Sequence, residues 1–284
     1  MQLKEKLLSS VKRLTEENVP SPRMNAELLL MFTLACDRAY LYAHPERDLT
    51  SDENTRYDAA LSERALGVPA QYITGHQEFW GMDFIVTPAV LIPRPETEHL
   101  VETVLSCVGP TALSTGPFRL IDVGTGSGCV AVALAKELPQ MEIYATDISD
   151  AALEIASANA ARHQAQSRIH FHHADLLAGF EDNFFDFIVS NPPYVGELEA
   201  EQVQLEVRKF EPRSAVFAGP TGTEVIARLI PQARAALRPG GWLVTEISGT
   251  IVEDTRQLLT GWEEIRIDND LQGIPRVAAA RKKH

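Results

Sequence analysis

The chain has 284 residues, of which 45% are hydrophobic and 23% are charged, as is typical of a globular protein with an ample core. Acidic residues outnumber basic ones by 39 to 26, giving a net charge of −13. Because binding to phosphates requires many Lys and Arg side chains, this balance disfavours a nucleic-acid partner and suits a basic protein partner. No apolar run is long enough for a membrane helix or forms a signal-peptide core, so no membrane contact is expected.

Neither the cysteines nor the clustered histidines of this sequence indicate a metal site. The residues concerned are Cys36, Cys107 and Cys129, and His170, His172 and His173. The cysteines are odd in number and too far apart for a disulfide framework or a zinc site. The histidines alternate along one predicted strand, but no carboxylate spacing accompanies them. We therefore expect no metal, and a reducing compartment such as the cytoplasm.

The first 98 residues divide into a helical part and a turn-rich part. Residues 1–75 repeat apolar positions at helical spacing with almost no strand signal, which predicts a small helical domain. Residues 78–98 contain a predicted hairpin that turns at Gly81, followed by a proline-rich stretch. We therefore assign residues 76–98 to a hairpin and linker, and residues 99–284 to a second domain.

From residue 99 onward, apolar strands alternate with helices. The predicted strands cover residues 118–124, 142–149, 168–176, 185–193, 242–248, 264–270 and 276–282. The predicted helices cover residues 99–109, 129–139, 150–163, 222–241 and 251–262. Alternation of this length predicts an α/β fold with a mostly parallel, doubly wound sheet. The last two strands follow each other without a helix, so one of them is expected to be antiparallel.

A glycine-rich loop joins the first strand of this sheet to the next helix. It consists of Gly124, Thr125, Gly126, Ser127 and Gly128. Glycines at such a turn let a ligand approach the backbone near a positive helix N-terminus. The dinucleotide pattern G-x-G-x-x-G would need a third glycine where this chain has Cys129, and no P-loop pattern is present. The spacing therefore favours a cofactor without phosphates, S-adenosylmethionine, over NAD.

Three aspartates accompany this loop. Asp147 ends the second strand, where a carboxylate can accept both ribose hydroxyls of a cofactor. Its alternative role is a helix N-cap, which Ser149 or Asp150 could fill instead. Asp175 ends the third strand and is predicted to border the adenine, with an ordinary loop carboxylate as the alternative. Asp122 lies inside the first strand, and either bonds the loop or lies near the methionine amine.

The fourth strand ends in Asn191, Pro192, Pro193 and Tyr194. Tandem proline stops a sheet ladder, and ligands of open α/β sheets bind at this edge, so Asn191 is predicted to lie beside the cofactor. An amide nitrogen is a poor nucleophile, and it must be held in line with the methyl group by acceptors for its hydrogens. The Asn191 oxygen and the Pro192 carbonyl are two such acceptors, and Tyr194 offers a flat face. The tetrapeptide therefore predicts a pocket for a planar NH₂ group, either the amine of a base or a carboxamide.

In combination, the motifs resemble those of one family. The segments "IPRPETE" at 92–98, "IDVGTGSGC" at 121–129 and "SNPPYV" at 190–195 follow the order and spacing of the release factor glutamine N5-methyltransferases. The resemblance covers essentially the whole chain. It implies a Rossmann-like, seven-stranded class I methyltransferase sheet with a helical N-terminal domain for substrate recognition. It also implies methylation of the glutamine in the Gly-Gly-Gln loop of peptide chain release factors, with S-adenosylhomocysteine as the product.

The same resemblance implies roles for individual residues. Asn191, Pro192, Pro193 and Tyr194 would bind the glutamine, with Asn191, Pro192 and Tyr194 as the catalytic residues. The loop at 124–128, Asp147, Leu176 and Asn191 would border the cofactor, in addition to Asp175. Arg94 and Glu96 would lie near the entrance, unless the charges at 94–98 form a salt-bridge cluster between the domains. Release factors are the expected partners, without nucleic acid or membrane, and the chain is expected to act as a monomer.

Other activities compete with this interpretation. One is the related enzyme that methylates a glutamine in a ribosomal protein, and only the resemblance described above separates the two enzymes. A nucleic-acid adenine N6-methyltransferase uses the same tetrapeptide on a flipped base, but a basic channel should accompany it. A non-catalytic binding protein fits the intact motifs less well, and the loop spacing disfavours an NAD oxidoreductase. The chain departs from the family at Ser248, where Gly is common, at 218–222, where Gly-Gly is frequent, and at Leu176, where an aromatic residue often borders adenine.

Overall fold

The computed structural model describes residues 1–112 and 118–284. The chain divides into two compact units: Met1–His76 with Gln204–Phe210 form the first, and Gln77–Val203 with Glu211–His284 form the second. The first unit therefore contains the predicted helical region together with a short segment from much later in the chain. The division of the chain into functional domains at residues 75 and 98 stays a prediction.

The helices of both units are mostly short. In chain order they are α1 (Leu3–Glu16), α2 (Pro22–Leu34), α3 (Arg38–Ala43), α4 (Ser51–Ala65), α5 (Ala70–Thr74), α6 (Glu98–Ala112), α7 (Cys129–Glu137), α8 (Asp150–Arg162), α9 (Leu205–Phe210), α10 (Arg213–Val216), α11 (Glu224–Ala236) and α12 (Val252–Leu258). Helices α1 to α5 and α9 belong to the first unit. In the described part of the chain, no helix combines the length and apolar character needed to cross a membrane.

The strands form one large sheet and two small ones. They are β1 (His76–Phe79), β2 (Met82–Ile85), β3 (Arg119–Val123), β4 (Glu142–Asp147), β5 (Ile169–His173), β6 (Phe185–Ser190), β7 (Val195–Gly196), β8 (Phe217–Gly219), β9 (Leu237–Glu246), β10 (Glu263–Asn269) and β11 (Pro275–Arg281). Among the described residues, the large sheet has seven strands in the order β10-β11-β9-β6-β3-β4-β5. Strand β11 runs antiparallel to both of its neighbours, β10 and β9, and the other described strand pairs of that sheet are parallel. The predicted fold class is confirmed, as is the antiparallel strand in the closing pair.

Both faces of the large sheet are covered, as a parallel sheet requires. In β3, Leu120 packs into one apolar cluster with side chains of α6 and α7. Its neighbour Ile121 packs into a second apolar cluster with side chains of α11. Both side chains are fully buried. Because successive side chains of a strand point to opposite faces, the continuous apolar run of β3 contributes to both cores.

The predicted hairpin is confirmed, with Trp80 and Gly81 joining β1 to β2. Their φ angles of 54° and 67° match the left-handed pair that two-residue hairpin turns need. A bulky residue such as Trp rarely adopts this conformation, so it needs support. The Trp80 backbone N–H donates to Glu98 at 2.8 Å, and its indole N–H donates to Glu137 at 2.9 Å. These two bonds hold the turn in place.

Some predicted boundaries are wrong. The helix predicted at 222–241 ends at Ala236, because Leu237 pairs with Phe185 and begins β9. The third strand, predicted to reach residue 176, ends at His173. The polar loop expected between β6 and α11 also contains β7, α9, α10 and β8. Periodicity alone misses these features, since tertiary pairing decides where a helix stops and which short segments order.

The first unit has an apolar core of its own, to which α1, α2 and α4 contribute. A buried arginine adds a polar connection to it. Arg64 on α4 is 3% exposed, and its guanidinium donates to Asn25 Oδ1 at 2.8 Å and to Glu206 Oε2 at 2.7 Å. Because Glu206 lies on α9, this ion pair fastens the late segment to the helical unit.

We expect Glu206→Gln to lower the free energy of unfolding of the first unit by about 2 kcal/mol, because a buried guanidinium loses its charged acceptor. Urea denaturation followed by far-ultraviolet circular dichroism measures this change. Glu201→Gln, at an exposed acid shortly before α9, is the control and should change stability by less than about 0.5 kcal/mol. Equal effects of the two substitutions would contradict a fastening role for Glu206.

Candidate active site

A cavity of about 330 Å³ lies at the carboxyl ends of β3, β4, β5 and β6. This is the edge at which open α/β sheets bind their ligands. The cavity wall includes the glycine loop, Asp147, Asp175, Leu176 and Asn191. Residues predicted from four separate strand ends therefore line a single cavity.

Backbone N–H groups of the glycine loop donate hydrogen bonds to the end of β4. The N–H groups of Gly124 and Thr125 both donate to the Thr146 carbonyl at 2.8 Å. The N–H of Gly126 donates to Asp147 Oδ2 at 2.9 Å. A Cβ added at Gly124 or Gly126 would meet no atom within 4 Å, so the loop backbone is open to the cavity.

Gly128 differs from the rest of the loop, because it packs against a helix and does not line the cavity. Its φ is 79°, and an added Cβ would lie 3.0 Å from both Cα and Cβ of Ala156 on α8. Only glycine allows this close approach. Gly128 thus fills the helix-packing role of the third glycine in dinucleotide loops, one residue earlier than that pattern has it.

Asp122 supports the loop from inside the protein. Its side chain is 2% exposed, and Oδ2 accepts the Thr125 hydroxyl at 2.7 Å and the Ala131 N–H at 3.2 Å. Burial raises the pKa of Asp122 to about 7, against the opposing effect of these two hydrogen bonds. The predicted bond between Asp122 and the glycine loop is confirmed.

Asp147 is not the cap of α8. That cap is Ser149, whose hydroxyl accepts the Ala152 N–H at 3.2 Å. The two Asp147 oxygens accept the N–H groups of Gly126 at 2.9 Å and Ser149 at 3.0 Å. Since a carboxylate has about four acceptor positions, Asp147 keeps capacity for cofactor hydroxyls. Its ribose-binding role stays a prediction.

Asp175 and Leu176 line the cavity beyond the end of β5. Asp175 is exposed and forms an ion pair with Arg228 at 2.5 Å. Leu176 has a φ of 55°, and its carbonyl accepts the Thr146 hydroxyl at 3.2 Å. That bond ties the turn after β5 to the end of β4. The contacts of both residues with adenine stay predictions.

The tetrapeptide after β6 divides between the cavity and the core. Asn191 and Pro193 line the cavity, whereas Pro192 is buried and Tyr194 is not a lining residue. The Tyr194 ring packs against the second apolar cluster, and its hydroxyl donates to Glu246 at 2.9 Å. Part of the Tyr194 side chain, which was expected to offer a flat face to a planar group, therefore packs against protein. The catalytic and substrate-binding roles of Asn191, Pro192, Pro193 and Tyr194 stay predictions.

A chain of hydrogen bonds that the sequence did not predict leads from the Asn191 side chain into the protein interior. Asn191 Nδ2 donates to Thr97 Oγ1 at 3.1 Å, and Thr97 Oγ1 donates to Glu246 Oε2 at 2.7 Å. Burial raises the pKa of Glu246 and also that of Tyr194. Thr97 belongs to the "IPRPETE" motif, which could have indicated it. The position of Glu246 at the end of an apolar strand is the only sequence signal for it.

Asn159 on α8 is a second residue that no sequence pattern marked. It is fully buried, and its Oδ1 accepts the Ile85 N–H at 2.7 Å. Its Nδ2 donates to the carbonyls of Ile85 and Ser127, both at 2.9 Å. One amide thereby joins the hairpin, α8 and the glycine loop.

Arg94 lines the cavity, and its guanidinium donates to the Glu211 carboxylate. The second oxygen of Glu211 accepts the Ile92 N–H at 3.2 Å, and this carboxylate is almost fully buried. The ion pair of Arg94 thus reaches outside the "IPRPETE" motif. Glu96, which was expected near the entrance, is not a lining residue.

The three clustered histidines lie on the edge strand β5, and two of them are near acidic side chains of other elements. His170 lies 3.5 Å from Glu142, and His173 lies 2.7 Å from Asp150. Within residues 1–112 and 118–284, no group of three or more His, Cys, Asp or Glu side chains is arranged to hold a metal ion.

The fold and motifs of this chain have counterparts among known proteins. The family described as "PrmC N-terminal domain" matches residues 5–75, and the one described as "Methyltransferase small domain" matches residues 110–209. A release factor glutamine methyltransferase of Koribacter versatilis is 54% identical over 283 residues, 99% of either chain. One of Nitratidesulfovibrio vulgaris is 40% identical over 275 residues, 95% of this chain and 92% of that one. The hMettl16 catalytic domain in complex with MAT2A 3′UTR hairpin 1 has a TM-score of 0.58 at 20% identity, covers 79% of this chain and 81% of that chain, and is similar in fold alone.

The strand order of the large sheet and the glycine loop after β3 define a class I methyltransferase. Identity of this level over the full length then specifies the group within that class. The chain belongs to the release factor glutamine methyltransferase family, and the resemblance found in the sequence is confirmed.

We expect Asn159→Ala to lower the free energy of unfolding by about 3 kcal/mol, because it leaves buried backbone groups of Ile85 and Ser127 unpaired. It should also weaken binding of S-adenosylmethionine, because the glycine loop loses an anchor. Chemical denaturation and isothermal titration calorimetry measure the two effects. Asn25→Ala removes a buried amide from the first unit and should lower stability without changing that affinity. Equal losses of affinity in both variants would contradict the anchoring role.

Asp122 should make the stability of the protein depend on pH. Its folded pKa of about 7 lies above the ordinary value of 3.8, so the folded protein binds this proton more tightly than the unfolded chain does. The resulting stabilisation is complete below the ordinary value and is lost as the pH rises through about 7. We expect Asp122→Asn to remove this loss, so that unfolding free energies between pH 4 and 8 decline less in the variant. Parallel stability curves for the two proteins would contradict the prediction.

Proposed function

We propose that this enzyme transfers a methyl group from S-adenosylmethionine to the side-chain amide nitrogen, N5, of the glutamine in the Gly-Gly-Gln loop of peptide chain release factors. This modification would support translation termination. The observation that carries the proposal is the position of Asn191, which follows β6 on the wall of the cavity that the glycine loop also lines. The names of the relatives at 54% and 40% identity support the choice of substrate.

The cavity suits S-adenosylmethionine, which supplies a methyl group on a positively charged sulfonium. The open backbone at Gly124 and Gly126 leaves room for a ligand to approach. The Asp147 carboxylate on the same wall favours a cationic ligand over a phosphate-bearing one, whereas the charge of Asp175 is balanced by Arg228. We assign Asp147 to the ribose hydroxyls. The residues proposed for cofactor contact are Gly124, Thr125, Gly126, Ser127, Asp147, Asp175, Leu176 and Asn191. Gly128, which packs against α8, is proposed to contribute by holding the loop in place.

Asn191 and Pro192 are proposed to hold the glutamine amide. The nitrogen of an amide is weakly nucleophilic, since its lone pair is delocalised into the carbonyl group. The Asn191 side-chain oxygen and the Pro192 carbonyl would accept its two N–H hydrogens and aim the nitrogen at the methyl group. Pro193 stiffens this segment, and Tyr194 would pack beside the planar amide. Such positioning can lower the barrier by several kcal/mol without a strong base.

The proton is proposed to leave the amide after methyl transfer, to water. Asp122 and Asp147 are the carboxylates nearest the loop, and both already accept hydrogen bonds from it. We propose that both hold the loop, and that Asp147 also holds the ribose, while neither removes a proton from the substrate. In this proposal, catalysis depends on the Asn191 oxygen and the Pro192 carbonyl, which position the amide, and needs no general base.

We also propose the setting in which the enzyme acts. Its macromolecular partner would be the release factor, recognised by the helical region that the "PrmC N-terminal domain" family matches. The net charge of −13 supports a protein partner over a nucleic acid. The chain would act as a monomer in the cytoplasm, without a membrane.

The test is methyl transfer from isotopically labelled S-adenosylmethionine to a purified release factor, beside ribosomal proteins and mixed DNA and RNA. We expect label on the factor alone, and none on a factor whose Gly-Gly-Gln glutamine is replaced by Ala. Label on nucleic acid would instead identify an adenine methyltransferase. Label on a ribosomal protein in place of the factor would identify the related glutamine methyltransferase.

The same assay tests the pocket. Asn191→Ala should lower kcat by about 100-fold, because an acceptor for the amide hydrogens is lost, while affinity for S-adenosylmethionine changes little. Asn54→Ala is the matched control, since its amide donates to backbone carbonyls of the first unit, and it should leave kcat unchanged. Turnover near the natural level in Asn191→Ala would exclude this residue from the pocket.

A further inference from the structure

We propose that Thr97 and Glu246 are positioning residues that fix which end of the Asn191 amide faces the substrate. The inference rests on the proposed function, since it concerns the same pocket. Its observation is the hydrogen-bond chain from Asn191 Nδ2 through Thr97 Oγ1 to Glu246 Oε2.

The need for such a device follows from the shape of the side chain. The two ends of an Asn amide have the same size, and only one of them accepts hydrogen bonds. A substrate carboxamide offers N–H donors, so Asn191 must present its oxygen. If the amide were turned over, two sets of N–H groups would face each other and neither would find an acceptor.

Thr97 selects the orientation because its hydroxyl has a single hydrogen. Glu246 takes that hydrogen at 2.7 Å, so Thr97 Oγ1 can act towards Asn191 only as an acceptor. The amide must therefore direct Nδ2 to Thr97, as it does at 3.1 Å. The reversed amide would bring its oxygen against Thr97, where two acceptors would compete for one hydrogen.

Glu246 is held in place to do this. Its side chain is 1% exposed at the end of β9, and its other oxygen accepts the Tyr194 hydroxyl at 2.9 Å. Thr97 is 2% exposed in the short helical turn Pro95–Thr97. Burial of both groups keeps water from satisfying the reversed arrangement. Through this chain of hydrogen bonds, Thr97 of the "IPRPETE" motif fixes the orientation of the Asn191 amide.

The experiment compares Thr97→Val, which keeps the shape and removes the hydroxyl, with Thr97→Ser, which keeps the hydroxyl. We expect Thr97→Val to lower kcat for the release factor by about tenfold or more, with affinity for S-adenosylmethionine within about twofold of the natural protein. Thr97→Ser should restore most of the turnover. Thr97→Ala repeats the test if the valine variant does not fold. Thr255→Val removes a buried hydroxyl that bonds only a backbone carbonyl, and it should leave kcat unchanged.

A second comparison, made in an Asn191→Asp enzyme, distinguishes a role in orienting the side chain at position 191 from general damage to the pocket. In an Asn191→Asp enzyme both ends of the side chain accept hydrogen bonds, so orientation no longer matters. In the Asn191→Asp enzyme, Thr97→Val should therefore lower kcat by a much smaller factor than it does in the enzyme that retains Asn191. Equal cost in the two backgrounds, equal loss in Thr97→Val and Thr97→Ser, or unchanged kcat in Thr97→Val would each overturn the inference. Failure of the natural enzyme to label any release factor would instead overturn the proposed function.

Discussion

The parallel pairing of β3 with β4 and β6 is the constraint on which the active site depends. Val123 of β3 lies opposite Thr146 of β4 and Ser190 of β6. The residues that follow these three, at positions 124, 147 and 191, therefore lie at one level of the sheet despite their separation in sequence. The Ser190 hydroxyl donates to the Val123 carbonyl at 2.7 Å and ties the ends of β3 and β6 together. A slip of one residue in either pairing would turn the side chains of a strand to opposite faces, so a cofactor loop and a substrate pocket could not share a wall.

Features that depend on neighbouring residues could be predicted from the sequence, because periodicity and turn chemistry act over short distances. The existence of the seven strands of the large sheet, the hairpin turn and the two motifs at strand ends are of this kind, whereas β7, β8 and some strand boundaries are not. The bonds from Asn159 to Ile85 and from Thr97 to Glu246 could not be predicted, since they join positions 74 and 149 residues apart. A buried amide or carboxylate that satisfies a distant group has the same local sequence as an exposed one. The sequence does not predict the packing of Tyr194 for the same reason, because its hydrogen-bond partner Glu246 lies on the distant strand β9.

The acidic composition has two physical meanings in this protein. Much of it is exposed charge, which supports the choice of a protein partner over a nucleic acid. Asp122, Glu211 and Glu246 are instead buried at 2%, 6% and 1% exposure, and each accepts hydrogen bonds from another segment. Burying such groups is tolerable only when donors compensate for the lost water. A count of acids therefore overstates the field felt by a partner, and it conceals the carboxylates that hold the cavity wall together.

The ion pair between Arg64 and Glu206 also bears on how this molecule can be divided or recombined. The chain leaves the first unit after His76, re-enters it at Gln204 and leaves it again after Phe210. A single cut at residue 76 would therefore give two incomplete fragments, one lacking α9 and the other carrying α9 without the guanidinium that it pairs with. For Arg64 and Glu206 to come from the same parent, exchange of the helical unit between relatives would need three crossovers, after His76, before Gln204 and after Phe210.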